Sequence, residues 1–271
     1  MIALSTEGKC PSIKALIMAG GSGERMRASG SAIPKPLVEV MGISLLEWNL
    51  HQVFAAGFRN VSVSVSKAIP DTGQFVRTQG FQIARAWGAR LSLLEEQQPL
   101  GNIGCAGWLR GATSHVLVVY ADNLTAVDLA QLFSEHQASG AALTLAVHDE
   151  PFRLPFGQVY EAADRIVDYV EKPEHRIAVC SAVCALSDQA LRSLPADRPT
   201  SISELAQGLI AAGAYVRSFR HSAPWIDVND LATVARAEAL IAAHPEAFSV
   251  PAERATRRRA ATGLARSLAR R

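Results

Sequence analysis

Leu16-Ile17-Met18-Ala19-Gly20-Gly21-Ser22-Gly23-Glu24-Arg25-Met26, continued by Pro34-Lys35-Pro36-Leu37, decides how this chain is read. An unbroken apolar run enters a turn with glycine at 20, 21 and 23, the pattern of a buried strand that stops at a sheet edge. With no Cβ in the way, backbone N–H groups of such a turn can come close to a ligand, and a concave row of them suits phosphate oxygens. Arg25 and Lys35 add the cations that a polyphosphate requires.

Two other phosphate-binding turns fail on spacing. A G-x-G-x-x-G fingerprint starting at Gly21 needs glycine at 26, where Met26 stands. A P-loop needs Gly-Lys-Ser/Thr, but Gly8-Lys9 is followed by Cys10. An ordinary strand-to-helix turn would use the same glycines, so the residues around the turn must decide.

A chain of 271 residues that is 49% hydrophobic and 19% charged can bury a substantial core, and neither disorder nor a fibrous class fits. No apolar run reaches the ~18 residues of a membrane span, and 1–11 is too short and polar for a secretory signal, so a cytoplasmic location is expected. Cys10, Cys105, Cys180 and Cys184 do not make a disulfide framework. Cys180 and Cys184 could share a strand face, yet no second ligand pair accompanies them, and buried small hydrophobes are the simpler reading. The net charge of +2 is uneven: 253–271 holds seven arginines and one acid, or +6, leaving −4 on the remainder. Nucleic-acid binding is therefore not expected of the folded body. The basic tail reads as a solvated end, or as a helix with Leu264 and Leu268 in register that meets an acidic surface.

Strand-like and helix-like segments alternate, which implies an α/β fold of Rossmann-like type, a mostly parallel sheet flanked by helices. Strands are expected at 13–19, 61–66 (alternating), 90–94, 115–121, 141–147 and 215–219. Helices are expected at 44–56 (amphipathic, opened by Ser44 and closed by Gly57), 127–138, 201–212 and 229–243. The run Val116-Leu117-Val118-Val119-Tyr120 belongs at a sheet centre. From 156 to 186, paired strands around Ala163-Asp164 predict a small mixed-sheet region over the carboxyl edge. Asp122 directly follows the central strand, where open α/β sheets bind ligands.

The whole glycine-rich segment resembles the signature of the nucleotidylyltransferases that make nucleotide-activated sugars, a G-G-x-G-x-R turn followed by P-K-P. Ala28-Ser29-Gly30 stands where that family usually has Pro-Leu-Thr. Four further stretches match in order. Gln98-Pro99-Leu100-Gly101-Asn102-Ile103-Gly104 resembles P-L-G-T-A-G, Ala121-Asp122-Asn123 resembles G-D-N, Val170-Glu171-Lys172-Pro173 resembles E-K-P, and Asp227-Val228-Asn229-Asp230 resembles D-I-G-T. Where the family shows V-N-A-G-I-Y, this chain has Val179-Cys180-Ser181-Ala182-Val183-Cys184, without the asparagine and the glycine.

The resemblance implies transfer of a nucleotidyl group from an NTP to a sugar 1-phosphate or similar phosphomonoester. It implies a nucleotidyltransferase domain over 1–245, with a nucleotide-binding half about 12–125, an acceptor-binding half about 126–245, and 246–271 as the tail. Ala19, Gly20, Gly21, Gly23, Gln98 and Gly101 would bind nucleotide, while Arg25, Lys35 and Lys172 would be catalytic. Glu171, Lys172, Cys180 and Ala182 would meet the acceptor, and Asp122 and Asp227 would hold Mg²⁺. Two alternatives keep the fold: a cytidylyltransferase for a phosphorylated polyol, cyclitol or amino-alcohol, and a catalytically silent nucleotide-binding regulator. No nucleic acid or membrane is implied as a partner, and a homo-oligomer is left open.

Overall fold

The protein is described by a computed structural model over residues 15–21 and 33–248; Gly23, Arg25, Cys10 and the tail beyond 248 lie outside these described residues. In chain order the elements are β1 (Ala15–Met18), β2 (Glu39–Val40), β3 (Ile43–Ser44), α1 (Leu45–Ala55), β4 (Asn60–Ser66), α2 (Pro70–Phe75) and α3 (Phe81–Ala86). There follow β5 (Arg90–Glu96), β6 (His115–Tyr120), β7 (Asn123–Thr125), α4 (Leu129–Ser139), β8 (Leu143–Arg153), β9 (Gln158–Ala162) and β10 (Arg165–Val170). The last are β11 (Glu174–Ser187), α5 (Asp188–Ser193), α6 (Ile202–Ala211), β12 (Val216–Arg220), β13 (Trp225–Asp227) and α7 (Leu231–Ala243).

Seven strands form one sheet in the order β12-β8-β11-β6-β1-β4-β5. Neighbours run parallel except at β11, which lies antiparallel between β6 and β8. The expected mostly parallel sheet is thus present, and β1, β6, β8 and β12 all end on one edge. Alternate residues of β1 feed opposite cores. Ala15 and Ile17 pack with α1 and α4 residues such as Leu50 and Leu132, while Leu16 and Met18 pack with Leu191 and Leu205 of α5 and α6. Both faces are therefore dry, and the unbroken apolar runs of β1 and β6 follow from that.

Two expectations change in character. α1 keeps its predicted ends, with the Ser44 hydroxyl accepting from the Glu47 N–H and Gly57 at φ +92°, but it is buried on every side from Leu45 to Phe54. Polar Asn49, His51 and Gln52 gave it an amphipathic look; each is instead buried. Likewise β4 is covered on both faces, with Ser62, Ser64 and Ser66 buried, so its alternation marks no solvent face.

The helical stretch from Pro70 to Ala86, interrupted by a π-turn at Val76–Gly80, has no counterpart in the sequence expectations. Gly73, Thr78 and Gly80 are poor helix formers. A Cβ at Gly80 would stand 3.2 Å from Leu91 of β5, so close helix-to-sheet packing overrides propensity there.

Beyond Cys180, the pair β8–β11 continues as far as Glu174 against Arg153 and carries the antiparallel ribbon β9–β10. This is the small region anticipated past 156. A register shift interrupts β11 between Cys180 and Cys184, and Ala182 within it has φ +52°. On the other flank, Gly101 (φ +76°) lies against Thr200: a Cβ would fall 2.4 Å from the Thr200 carbonyl oxygen. Leu100 O accepts from Thr200 N at 2.9 Å, and the Asn102 side chain accepts from Ile202 N at 2.8 Å, so the loop is strapped to the start of α6.

These two backbone positions generate opposite expectations. Gly101→Ala should destabilise by ~2 kcal/mol or more, from overlap with a main chain that cannot yield and from the left-handed φ. Ala182→Gly should stabilise by roughly 0.5 kcal/mol, the relief of left-handed strain less the added freedom of the unfolded chain. Chemical denaturation of both variants checks the pair.

Buried histidines set an acid limit. Burial lowers His51 to about 4; its Nδ1 accepts from the Trp87 indole at 3.0 Å. His136, which meets His115 at 3.2 Å and Thr144 at 2.9 Å, is lowered to about 4 by burial and then by His115. Both are neutral when folded and have the higher pKa when unfolded, near 6.5. Stability should therefore be complete above pH 6.5, fall as pH drops toward 4, and lose no more from these groups below it. Denaturation midpoints across that window should fall less steeply in His51→Gln, which keeps an acceptor for Trp87.

Candidate active site

A third small core places the polar groups of the site. Val38, Val40, Ile43, Leu45 and Trp48 pack with Leu124 of β7, Ile226 of β13 and Ala237 and Ile241 of α7. Each valine, leucine or isoleucine of this set contributes ~1.5–3 kcal/mol on burial, so the three chain segments are held firmly together. β7 and β13 pair antiparallel, with Asp227 opposite Asn123, and Val228 N donates to the Asp122 carbonyl at 3.0 Å. That ladder brings Asp122 and Asp227 to the same place although they stand 105 positions apart in the sequence.

Lys35 completes the arrangement. It opens a 3-10 turn, Lys35–Leu37, between Pro34 and Pro36, whose rings restrict the backbone around it. Its Nζ lies 2.8 Å from Asp122 Oδ2, 3.3 Å from Asp227 Oδ1 and 2.7 Å from Asn229 Oδ1. The lysine side chain is 10% exposed, the two carboxylates 37% and 33%. All three ammonium donors are thus committed, and two carboxylates that would repel one another share one cation. Asn229 Nδ2 also donates to Asp227 Oδ2, and Asn123 Nδ2 donates to Asp122 Oδ1 at 2.8 Å.

Asp230 stands apart as the cap of α7. Its Oδ1 accepts from Thr233 N at 2.7 Å, and the Thr233 N–H and hydroxyl hold its carboxyl below the usual range. Among the described residues, no cluster of three or more His, Cys, Asp or Glu could hold a metal. The two carboxylates nonetheless form a hard oxygen pair already occupied by a cationic ammonium. That chemistry fits a divalent cation, which takes one or two carboxylates and fills its shell with phosphate and water.

The glycine turn opens beside this site. Ala19 is buried and its N–H donates to Ser64 O at 2.8 Å; Gly21 is exposed, with open space where a Cβ would be. Beneath Gly20 lies a group absent from the sequence expectations, the buried carboxylate of Glu96, which accepts from the Ser64 hydroxyl and from Leu100 N. Glu96 ends β5 as Asp122 follows β6, so the strand-end rule that singled out one acid applied equally to the other. Gln98 is exposed. The space that obliges glycine at 101 is filled by Thr200.

The expected acceptor residues sit on the β8–β11 arm. Glu171 and Lys172 are exposed, 3.9 Å apart, with Tyr169 OH donating to Glu171 at 3.0 Å. Cys180 is exposed and Cys184 buried, so the bulge puts them in different surroundings. Ser181 between them is fully buried and hydrogen-bonds His148 at 2.8 Å and His221 at 2.7 Å. His148 also packs on Trp225, at 4.9 Å between rings, two residues along β13 from Asp227. The sequence-predicted Lys35, Asp122 and Asp227 are joined by direct contact; Glu171 and Lys172 contact one another.

The sequence profile described as nucleotidyl transferase matches residues 14–243. The chain is 31% identical over 167 residues to the mannose-1-phosphate guanylyltransferase of Mycobacterium tuberculosis, covering 60% of this chain and 45% of that one. It is 29% identical over 228 residues to the catalytic subunit beta of the Danio rerio enzyme of that name, covering 80% and 61%. The chain thus spans about half to three-fifths of the length of these curated relatives. In fold it is similar to HddC from Yersinia pseudotuberculosis complexed with GMP-PN, with a TM-score of 0.62 and 19% identity over 84% of this chain and 98% of that one. No helix among the described residues is long and apolar enough to cross a membrane.

Proposed function

The chain belongs to the nucleotidyl transferase family, and we propose that it transfers a nucleotidyl group from an NTP to a sugar 1-phosphate, releasing pyrophosphate. The observation that carries this reading is the meeting of Lys35, Asp122 and Asp227 at the carboxyl edge beside the glycine turn. GTP is the first donor to try, since the relatives just named are guanylyltransferases. A cytoplasmic location accompanies the reading.

The acceptor's phosphate oxygen attacks the α-phosphorus as the bond to the bridging oxygen breaks and pyrophosphate departs. No covalent enzyme intermediate is needed, so the protein contributes positioning and charge stabilisation. The N–H groups at Gly20 and Gly21, with Gly23, cradle the triphosphate, and Arg25 steadies the departing pyrophosphate. Gln98 and the main chain at Gly101 border the base. Lys35 turns its ammonium to the reacting phosphates, while Lys172 and Glu171 hold the acceptor's phosphate and hydroxyls. Mg²⁺ held by Asp122 and Asp227 would supply neutralisation of charge at the α-phosphate. Cys180 and Ala182 border the acceptor ring.

A pyrophosphate-release screen of GTP, ATP, CTP, UTP and dTTP against sugar 1-phosphates and phospho-alcohols tests the reading; no release with any pair would end it. Lys35→Ala should lower turnover at least ~100-fold in a folded protein, because a cation on transferring phosphates commonly supplies a few kcal/mol at the transition state. Asp122→Asn and Asp227→Asn should each raise the Mg²⁺ concentration required, and Asp230→Asn should not.

The pocket generates its own expectation. Loss of the amide at Cys180 should leave the protein poor with glucose 1-phosphate and mannose 1-phosphate, because a missing hydrogen bond discriminates strongly. Cys180→Asn with Ala182→Gly should improve both relative to the native acceptor. A kcat/KM above ~10⁴ M⁻¹s⁻¹ for the unaltered protein on either hexose would overturn the expectation that this pocket handles common hexose 1-phosphates poorly.

A further inference from the structure

Asn229 stands where the family's D-I-G-T pattern has glycine, and it is the residue that completes the capture of Lys35. Its Oδ1 takes one ammonium hydrogen and its Nδ2 binds Asp227, so a single side chain locks both the cation and one of its carboxylates. With three acceptors inside hydrogen-bond range, the Lys35 ammonium has no donor left for a phosphate. It also occupies the carboxylate oxygens that a divalent cation needs. Lysine and metal cannot both hold these oxygens at close range without placing two like charges on one site.

We infer that Lys35 is the resident counter-cation of the Asp122–Asp227 pair, latched by Asn229, and that free divalent cation is excluded until a nucleotide phosphate draws the ammonium away. The second half rests on the proposed nucleotidyl transfer; the first half does not. Two carboxylates left without a cation would be costly, and metal arriving alone would have to evict a buried ammonium with nowhere to go. A polyphosphate removes that obstacle, because it gives the ammonium a new anionic partner while bringing the metal with it. Nucleotide and metal then bind as one unit, each raising the affinity for the other by the same factor.

Mn²⁺ binding to the full chain, read from the EPR signal of free Mn²⁺, separates the possibilities. Without nucleotide, Lys35→Met should bind Mn²⁺ at least ~10-fold more tightly than the unaltered protein, and Asn229→Gly should shift in the same direction by less. Adding Asp122→Asn to Lys35→Met should abolish the gain, which locates the ion on the pair. With the non-hydrolysable analogue GMP-PNP, the affinity of the unaltered protein for Mn²⁺ should rise at least ~10-fold, and Lys35→Met should lose most of that rise. Equal Mn²⁺ affinity in the unaltered protein and in both folded single variants would overturn the counter-cation assignment. An unaltered Mn²⁺ affinity on adding GMP-PNP would overturn the exchange. Tighter Mn²⁺ in Lys35→Met from a protein that releases no pyrophosphate with any NTP would remove the proposed reaction and leave the counter-cation in place.

Discussion

Charge balance at one point governs how the site is put together. Asp122 and Asp227 come from distant parts of the chain, and bringing two carboxylates together is repulsive unless a cation lies between them. Lys35 is that cation, 87 residues from one partner and 192 from the other. The third core beneath it turns this electrostatic meeting into a fixed geometry, since Leu124 and Ile226 bury the ladder from which both acids project. Packing does the positioning, and the ammonium makes the position tolerable.

The same division explains what the sequence revealed. Continuous apolar runs located β1 and β6, and Ser44 marked a helix start because a short polar side chain satisfies free N–H groups there, as Ser201 and Asp230 also do in the structure. Lys35, Asp122 and Asp227 were legible because ordered motifs flank them. Burial was not legible from local pattern. Asn49, His51 and Gln52 looked like a solvent face on α1, yet the helix lies between the sheet and the third core, and each polar group found a partner or a dry niche. Residues 70–86 hid a helix for a complementary reason: Gly80 serves close packing against Leu91 of β5, which no local propensity reports.

Gly101 shows how a motif residue and its cause can come from different places. Its glycine is demanded by the main chain of Thr200, a residue 99 positions on, as the clash distance makes plain. Ala182 is the converse, a residue with a Cβ held in a conformation that suits glycine. There the backbone follows the bulge of β11, and Ser181 shows what fixes the bulge, since two histidines clasp its hydroxyl in the interior. Neither dependence is visible within a few residues of sequence.

The insertion of β11 between β6 and β8 carries a consequence for the order of assembly. β5, β4, β1 and β6 are neighbours made only from the first 120 residues, so that half of the sheet can form while the rest is still being synthesised. β8 has no place beside β6 until β11 arrives, and β12 can pair only with β8. The start of β8, with Leu143, Leu145 and Ala146, therefore waits through the synthesis of more than thirty residues for a partner, the interval in which exposed strand edges are prone to wrong pairing. Asp227 joins later still. A nascent chain released early would own the glycine turn, Lys35 and Asp122, yet lack Asp227, so the cation shared by two carboxylates arrives only with the closing of the fold.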